Sequence, residues 1–192
     1  MPPRPGLTTE RLVDVASTLI EREGPNGLSL ARLAKEVGVK TPSLYNHIAG
    51  LQGLQRQLRL RGLDTLAETL SRAAMGRAGK EALVAVANAY RDFAKQQPGL
   101  YTLTLRSTEE NDADIQQAGR RVVEVVLAVL RGYGLEGEDA LHATRYLRST
   151  LHGFVSLEIG EGFGLELSPS DTFDCILDAL DHSLSTSFRR DK

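Results

Sequence analysis

The chain has 192 residues, 41% of them hydrophobic and 25% charged, close to the soluble-globular average, so it is long enough to fold without covalent staples as one domain or as a small domain joined to a larger one. A single cysteine, Cys175, excludes an intramolecular disulfide framework and a multi-cysteine zinc site, and is expected as a buried free thiol in a reducing compartment. The net charge of −2 argues by itself against a nucleic-acid partner, yet residues 1–62 hold 9 Lys/Arg against 5 Asp/Glu (+4) and residues 63–192 hold 14 against 20 (−6), the signature of a basic module carried by an acidic body.

Residues 1–6 lack the apolar run of a signal peptide, and a cytoplasmic location is expected. Leu12, Val15, Ala16, Leu19 and Ile20 then form the stripe of an amphipathic helix, with Glu10 in its first turn and a stop at Gly24-Pro25-Asn26-Gly27. Ser29 is placed to N-cap a second helix of about two turns, striped by Leu30, Leu33, Ala34 and Val37 and closed by Gly38. Thr41-Pro42 reads as N-cap and N1 of a third short helix whose Leu44 and Ile48 face inward, Gly50 ends it, and Leu51, Leu54 and Leu58 open a fourth.

Beyond residue 62 the helices lengthen, with stripes at Leu63, Leu66 and Leu70 and at Leu83, Val86, Ala87, Tyr90 and Ala94, halted by Gln97-Pro98-Gly99. Leu100 to Leu105 alternates as a strand would, but an isolated strand is unfavourable in an otherwise helical chain, and a short helix is expected. Helices follow at Ile115 to Tyr133, at Glu138 to Ile159 and after Ser168-Pro169-Ser170-Asp171, making about nine in all. The apolar stretch Val125 to Leu130 is far short of the about 20 residues of a membrane span. The expected fold is all-α, with a helix-turn-helix domain in residues 1–55 and a larger helical domain in 56–192.

Two short helices joined by the tight Gly38-Val39-Lys40-Thr41 connection have helix-turn-helix spacing, so the second could enter a major groove and offer Lys40, Ser43, Tyr45, Asn46 and His47 to bases and phosphates. The same pattern also fits a polar surface helix after a glycine turn. The run Leu33-Ala34-Lys35-Glu36-Val37-Gly38-Val39-Lys40-Thr41-Pro42-Ser43-Leu44-Tyr45-Asn46-His47-Ile48 closely resembles the helix-turn-helix of the TetR/AcrR repressors, within a likeness covering about residues 8 to 60. That resemblance implies a homodimer that places two such segments in successive major grooves of a double-stranded DNA operator, and a helical body that binds a small-molecule effector. It assigns DNA contact, or shaping of the reading segment, to Ser29, Arg32, Lys40, Thr41, Pro42, Ser43, Tyr45, Asn46 and His47. Where the family usually carries a phosphate-holding lysine this chain has Leu51, and Gln52, Arg56 or the backbone amides of that helix N-terminus are the substitutes. Leu147 to Phe154 resembles the branch bearing a Trp-His-Gly signature, with Leu151 in place of the tryptophan.

The resemblance puts an effector pocket in the body, where Tyr90, Phe93, Tyr101, Tyr146, His152, Phe154 and Phe163 are the candidate walls, each of which could equally be core. The stripes of Glu138 to Ile159 and Phe173 to Leu184 could face the monomer's own core or pair with a second subunit as a four-helix bundle. Asp178 and His182 are spaced for a metal but fit an exposed polar face better, and neither metal nor cofactor is expected. Cys175, His142 and His152 come without a nucleophile elbow, metal box or phosphate loop, and Glu109-Glu110 lies in a polar connection, so catalysis is not expected. The remaining alternatives are an all-helical enzyme using His152, or a DNA-binding module controlled by a protein partner.

Overall fold

The computed structural model describes residues 7–105 and 112–188, which are helical without a strand. The helices are α1 (Thr9–Glu23), α2 (Leu30–Val37), α3 (Gly50–Ala74), α4 (Gly79–Gln96), α5 (Pro98–Thr104), α6 (Ala113–Arg131), α7 (Gly137–Ile159) and α8 (Pro169–Thr186), with 3-10 turns at Pro25–Gly27 and Thr41–Asn46. The pair Glu109-Glu110 lies outside the described residues.

The chain divides into two compact units: residues up to 63 with 97–115, and residues 64–96 with 116–192. In the first, α1 packs on α2, on the Pro25–Gly27 turn and on α5, and α2 packs on Thr41–Asn46. The Thr8 hydroxyl caps α1 by accepting from Arg11 N, and Leu12, Val13, Ala16, Leu19 and Ile20 bury its inner face. Ser29 Oγ accepts from Arg32 N at the start of α2, and Gly38 ends that helix at φ +73°, ψ 35°, a left-handed conformation that only glycine adopts without strain.

Two local expectations are corrected. Thr41–Asn46 is 3-10 with Lys40 as its N-cap: Ser43 N bonds Lys40 O and His47 N bonds Leu44 O, each across three residues, and Ile48 N adds a four-residue bond to Leu44 O only at the end. The helix opened by Leu51, Leu54 and Leu58 and the stripe at Leu63, Leu66 and Leu70 belong to one 25-residue helix, α3. A lone glycine, Gly62, costs about 1 kcal/mol and cannot by itself end a helix whose apolar stripe continues through Leu63, Leu66 and Leu70. Cys175 is exposed, because Phe173, Leu177, Leu180 and Leu184 occupy the buried stripe of α8 and the cysteine falls on the opposite side.

Leu100 to Leu105 is largely helical, as α5. Its first turn meets α1 so closely that a Cβ on Gly99 would lie 2.5 Å from the Ile20 carbonyl oxygen. In the second unit α4 packs against α7 and α8, which also pack on each other, around Phe93, Leu151, Phe154, Val155 and Phe173. Among the described residues no helix is long and apolar enough to cross a membrane.

Candidate nucleic-acid interface and interior of the second unit

The Thr41–Asn46 segment presents two unlike faces. Leu44 is fully buried and Ile48 is nearly so, anchoring it against the first unit, while Tyr45 between them is 61% exposed. Lys40, Pro42 and Asn46 are exposed with it, and Thr41, Ser43 and His47 are half-buried at its margins. One ammonium, hydroxyls, a carboxamide and an imidazole therefore share a protruding ridge about two turns long, a set of donors and acceptors matched to base edges and phosphate oxygens.

Two other residues assigned to DNA contact do different work in this arrangement. Ser29 is spent on capping α2. Arg32 reaches Glu23 at 2.8 Å and Glu36 at 3.2 Å, while Arg22 holds Glu23 at 2.7 Å, so the guanidinium bridges α1 to α2. Arg32 first and Arg22 second hold the Glu23 carboxyl down to about 2. Arg56, a substitute for the missing phosphate lysine, is committed elsewhere: it grips Asp112 at 2.6 and 2.8 Å and Asp114 at 2.6 Å. Asp112 also caps α6 through Ile115 N, and the Arg56 hydrogen bond keeps its carboxyl below the usual range.

The aromatic candidates scatter. Phe154 stacks against Phe163 (ring centroids 5.0 Å) and against Phe173 (4.9 Å), so these come together in the second unit. Phe93 is buried there, Tyr90 is half-buried, Tyr146 lies 5.3 Å from Phe188, and His152 Nδ1 sits 3.2 Å from Ser156 Oγ. Tyr101 is buried in the first unit instead, on α5. A groove of about 560 Å³ between the end of α6 and the start of α7 is lined by Leu127, Arg131, Leu135, Glu136 and Leu141 among others, and by none of the aromatic candidates.

Sequence reasoning missed the polar heart of the second unit. Arg91 on α4 and Glu158 on α7 form a two-point ion pair at 2.7 and 2.5 Å with side chains only 11% and 10% exposed. Arg91 also donates to Ser170 Oγ at 3.3 Å and lies over the rings of Phe173 and Phe154, and Lys95 adds a second cation to Glu158 at 3.0 Å. The available signal was spacing: Arg91 stands four residues after Ala87 and three before Ala94, inside the apolar stripe. Asp178 pairs with Lys80 at 2.8 Å, and among the described residues no group of three or more His, Cys, Asp or Glu could hold a metal.

Comparison with known proteins agrees with this geometry. Residues 12–49 match the family described as bacterial regulatory proteins, tetR family, and residues 83–180 match the tetracyclin repressor-like C-terminal domain. The HTH-type transcriptional regulator YobS of Bacillus subtilis is 39% identical over 97% of this chain and 93% of its own length. Among solved structures, a protein from Rhodococcus sp. RHA1 superposes with a TM-score of 0.83 at 22% identity over 97% of this chain and all of its own. The TetR regulator SCO7222 of Streptomyces coelicolor gives 0.74 at 17% identity, covering 96% of this chain and all of its own.

Proposed function

Because the chain belongs to the tetR family of bacterial regulatory proteins, we propose that this transcriptional regulator is a cytoplasmic repressor that binds a palindromic double-stranded DNA operator as a homodimer and is released by a small-molecule effector. The observation that carries the reading is Tyr45, 61% exposed between the buried anchors Leu44 and Ile48: a large aromatic held outward costs apolar exposure that only a partner would recover. Lys40, Thr41, Pro42, Ser43, Tyr45, Asn46 and His47 form the reading surface, and Ser29 and Arg32 support it through α2. With Leu51 in the usual lysine's place and Arg56 held by carboxylates, phosphate contact falls to Lys40, to the hydroxyls and to the backbone amides at the start of α3.

The effector belongs to the second unit, among Tyr90, Phe93, Tyr146, His152, Phe154 and Phe163. Dimerisation uses the outward faces of α7 and α8, where Arg145 on one and Asp171 on the other are exposed with complementary charge, and where Leu141 and Leu157 of α7 are both half exposed. Effector that binds only the arrangement with wrongly spaced reading segments lowers DNA affinity by its differential affinity, typically about 1–3 kcal/mol.

Fluorescence anisotropy with the DNA upstream of the protein's own gene, against scrambled DNA at two salt concentrations, tests this. Preference of about 10³-fold or more, falling steeply with salt, is expected. Equal weak binding to both, together with no specific site recovered from random duplexes, would refute it.

A further inference from the structure

Thr9, the first residue of α1, donates its hydroxyl to the backbone carbonyl of His47 at 2.8 Å, across 38 residues of sequence. Other helical threonines bond back within their own helix: Thr18, Thr102, Thr144 and Thr186 each donate to the carbonyl four residues back, and Thr104 to the one three residues back. Thr9 opens its helix and has no such carbonyl within α1, which frees its hydroxyl to reach another element. The carbonyl it meets is a point of need. His47 closes the Thr41–Asn46 segment at φ −125°, ψ −23°, outside helical geometry, where the N–H groups of His47 and Ile48 both turn back to the Leu44 carbonyl at 2.9 and 3.0 Å. The segment's near end is fixed by Lys40 and Pro42; its far end, bearing Asn46 and His47, is fixed by buried Leu44 and Ile48 and by Thr9.

We propose that Thr9 is a positioning residue for DNA recognition, its hydroxyl setting the height of the far end of the reading segment so that Tyr45, Asn46 and His47 meet base edges in register. The proposal rests on reading Lys40 to His47 as the DNA surface. Base contacts require sub-ångström placement whereas phosphate attraction does not, so loss of the hydroxyl acts on discrimination and spares the electrostatic part of binding.

The test begins by selecting a site for the parent protein from random DNA duplexes, then measures Thr9→Val and Thr9→Ser on that site and on scrambled DNA across a salt series, with melting temperature alongside. Thr9 is exposed, and valine keeps the β-branch and the helix propensity, so the melting temperature should stay within about 3 °C. Thr9→Val is expected to weaken the selected site about tenfold with unchanged scrambled-DNA affinity and unchanged salt slope, and Thr9→Ser to restore it. An unchanged specificity ratio in Thr9→Val overturns the proposal. So does a fall shared equally by both DNAs, which would mark a phosphate contact or loss of folded protein. A parent that selects no site removes the DNA reading itself, and the proposal with it.

Discussion

The Glu21 carboxylate on α1 takes the backbone N–H of Gly99 at 2.8 Å and, through its other oxygen, that of Leu100 at 2.9 Å, so a side chain from the first helix caps the fifth. The cap and the close approach of Gly99 to Ile20 make α5 a built-in part of the first unit. Glu21→Ala should cost about 1–2 kcal/mol in urea unfolding by leaving two helix N–H groups without their acceptor. Gly99→Ala should cost about 2–3 kcal/mol, because the obstacle is backbone and cannot swing aside. Equal stability of Gly99→Ala and the parent would mean that the two helices are not so tightly joined.

The buried Arg91–Glu158 pair predicts asymmetric mutational costs. Removing Glu158 alone, as Glu158→Ala, strands a guanidinium over two phenyl rings and should destabilise by about 3–5 kcal/mol. The double variant Arg91→Met with Glu158→Leu removes both charges and should recover most of that loss. A thermodynamic cycle in chemical denaturation reads the coupling, and strictly additive single effects would contradict it.

The same pair gives stability a pH dependence of definite sign. The hydrogen bond from Arg91, with help from Lys95, holds the Glu158 carboxyl below its ordinary value of 4.5 in the folded protein. A depressed carboxylate contributes its full stabilisation above the unfolded value and loses it as pH falls through the native one. Melting temperature should therefore drop on acidification below about pH 4.5, and the Arg91→Met, Glu158→Leu variant should drop less.

On the DNA surface, Lys40 and Tyr45 should fail differently. Lys40→Ala is expected to reduce the salt slope of operator binding by about one and to weaken matched and scrambled DNA alike. Tyr45→Ala should abolish operator binding while sedimentation still reports a dimer; a folded Tyr45→Ala that binds normally would sink the assignment of this segment.

Cys175 supplies a reporter for the dimer. It lies exposed on the outward side of α8, the side assigned to the subunit contact. Maleimide labelling of the native protein should slow as concentration rises through the dimerisation range. A rate independent of concentration would move the contact to another face.

The first unit was legible because its signals are local. Ser29, Gly38 and the Leu33–Ala34 and Leu44–Ile48 stripes act within one or two turns, and each does what its residue type dictates. The placement of α5 was not legible, since nothing in residues 97–104 says which earlier helix supplies a cap; Glu21 looks like any surface acid of an amphipathic helix. The Arg91–Glu158 pair was hidden in the same way, as two ordinary charged residues 67 apart whose partnership exists only after α4 and α7 meet. The aromatics taken as candidate effector walls could not be told from core, because an apolar wall and an apolar core share one sequence pattern, and one of them, Tyr101, packs into the first unit.

The splitting of the first unit along the chain also sets an order of events at birth. The ribosome releases α1, α2, the Thr41–Asn46 segment and the opening of α3 well before the helix that Glu21 must cap, with residues 64–96 synthesised in between. At about 5–20 residues per second that interval lasts a few seconds, during which α5, with the Gly99 backbone that meets Ile20, is missing from beside α1 and its apolar face has only α2 and the Pro25–Gly27 turn for cover. The nascent protein thus acquires a finished DNA-reading unit only after residues 64–96 of its other unit have been made, and before residues 116–192.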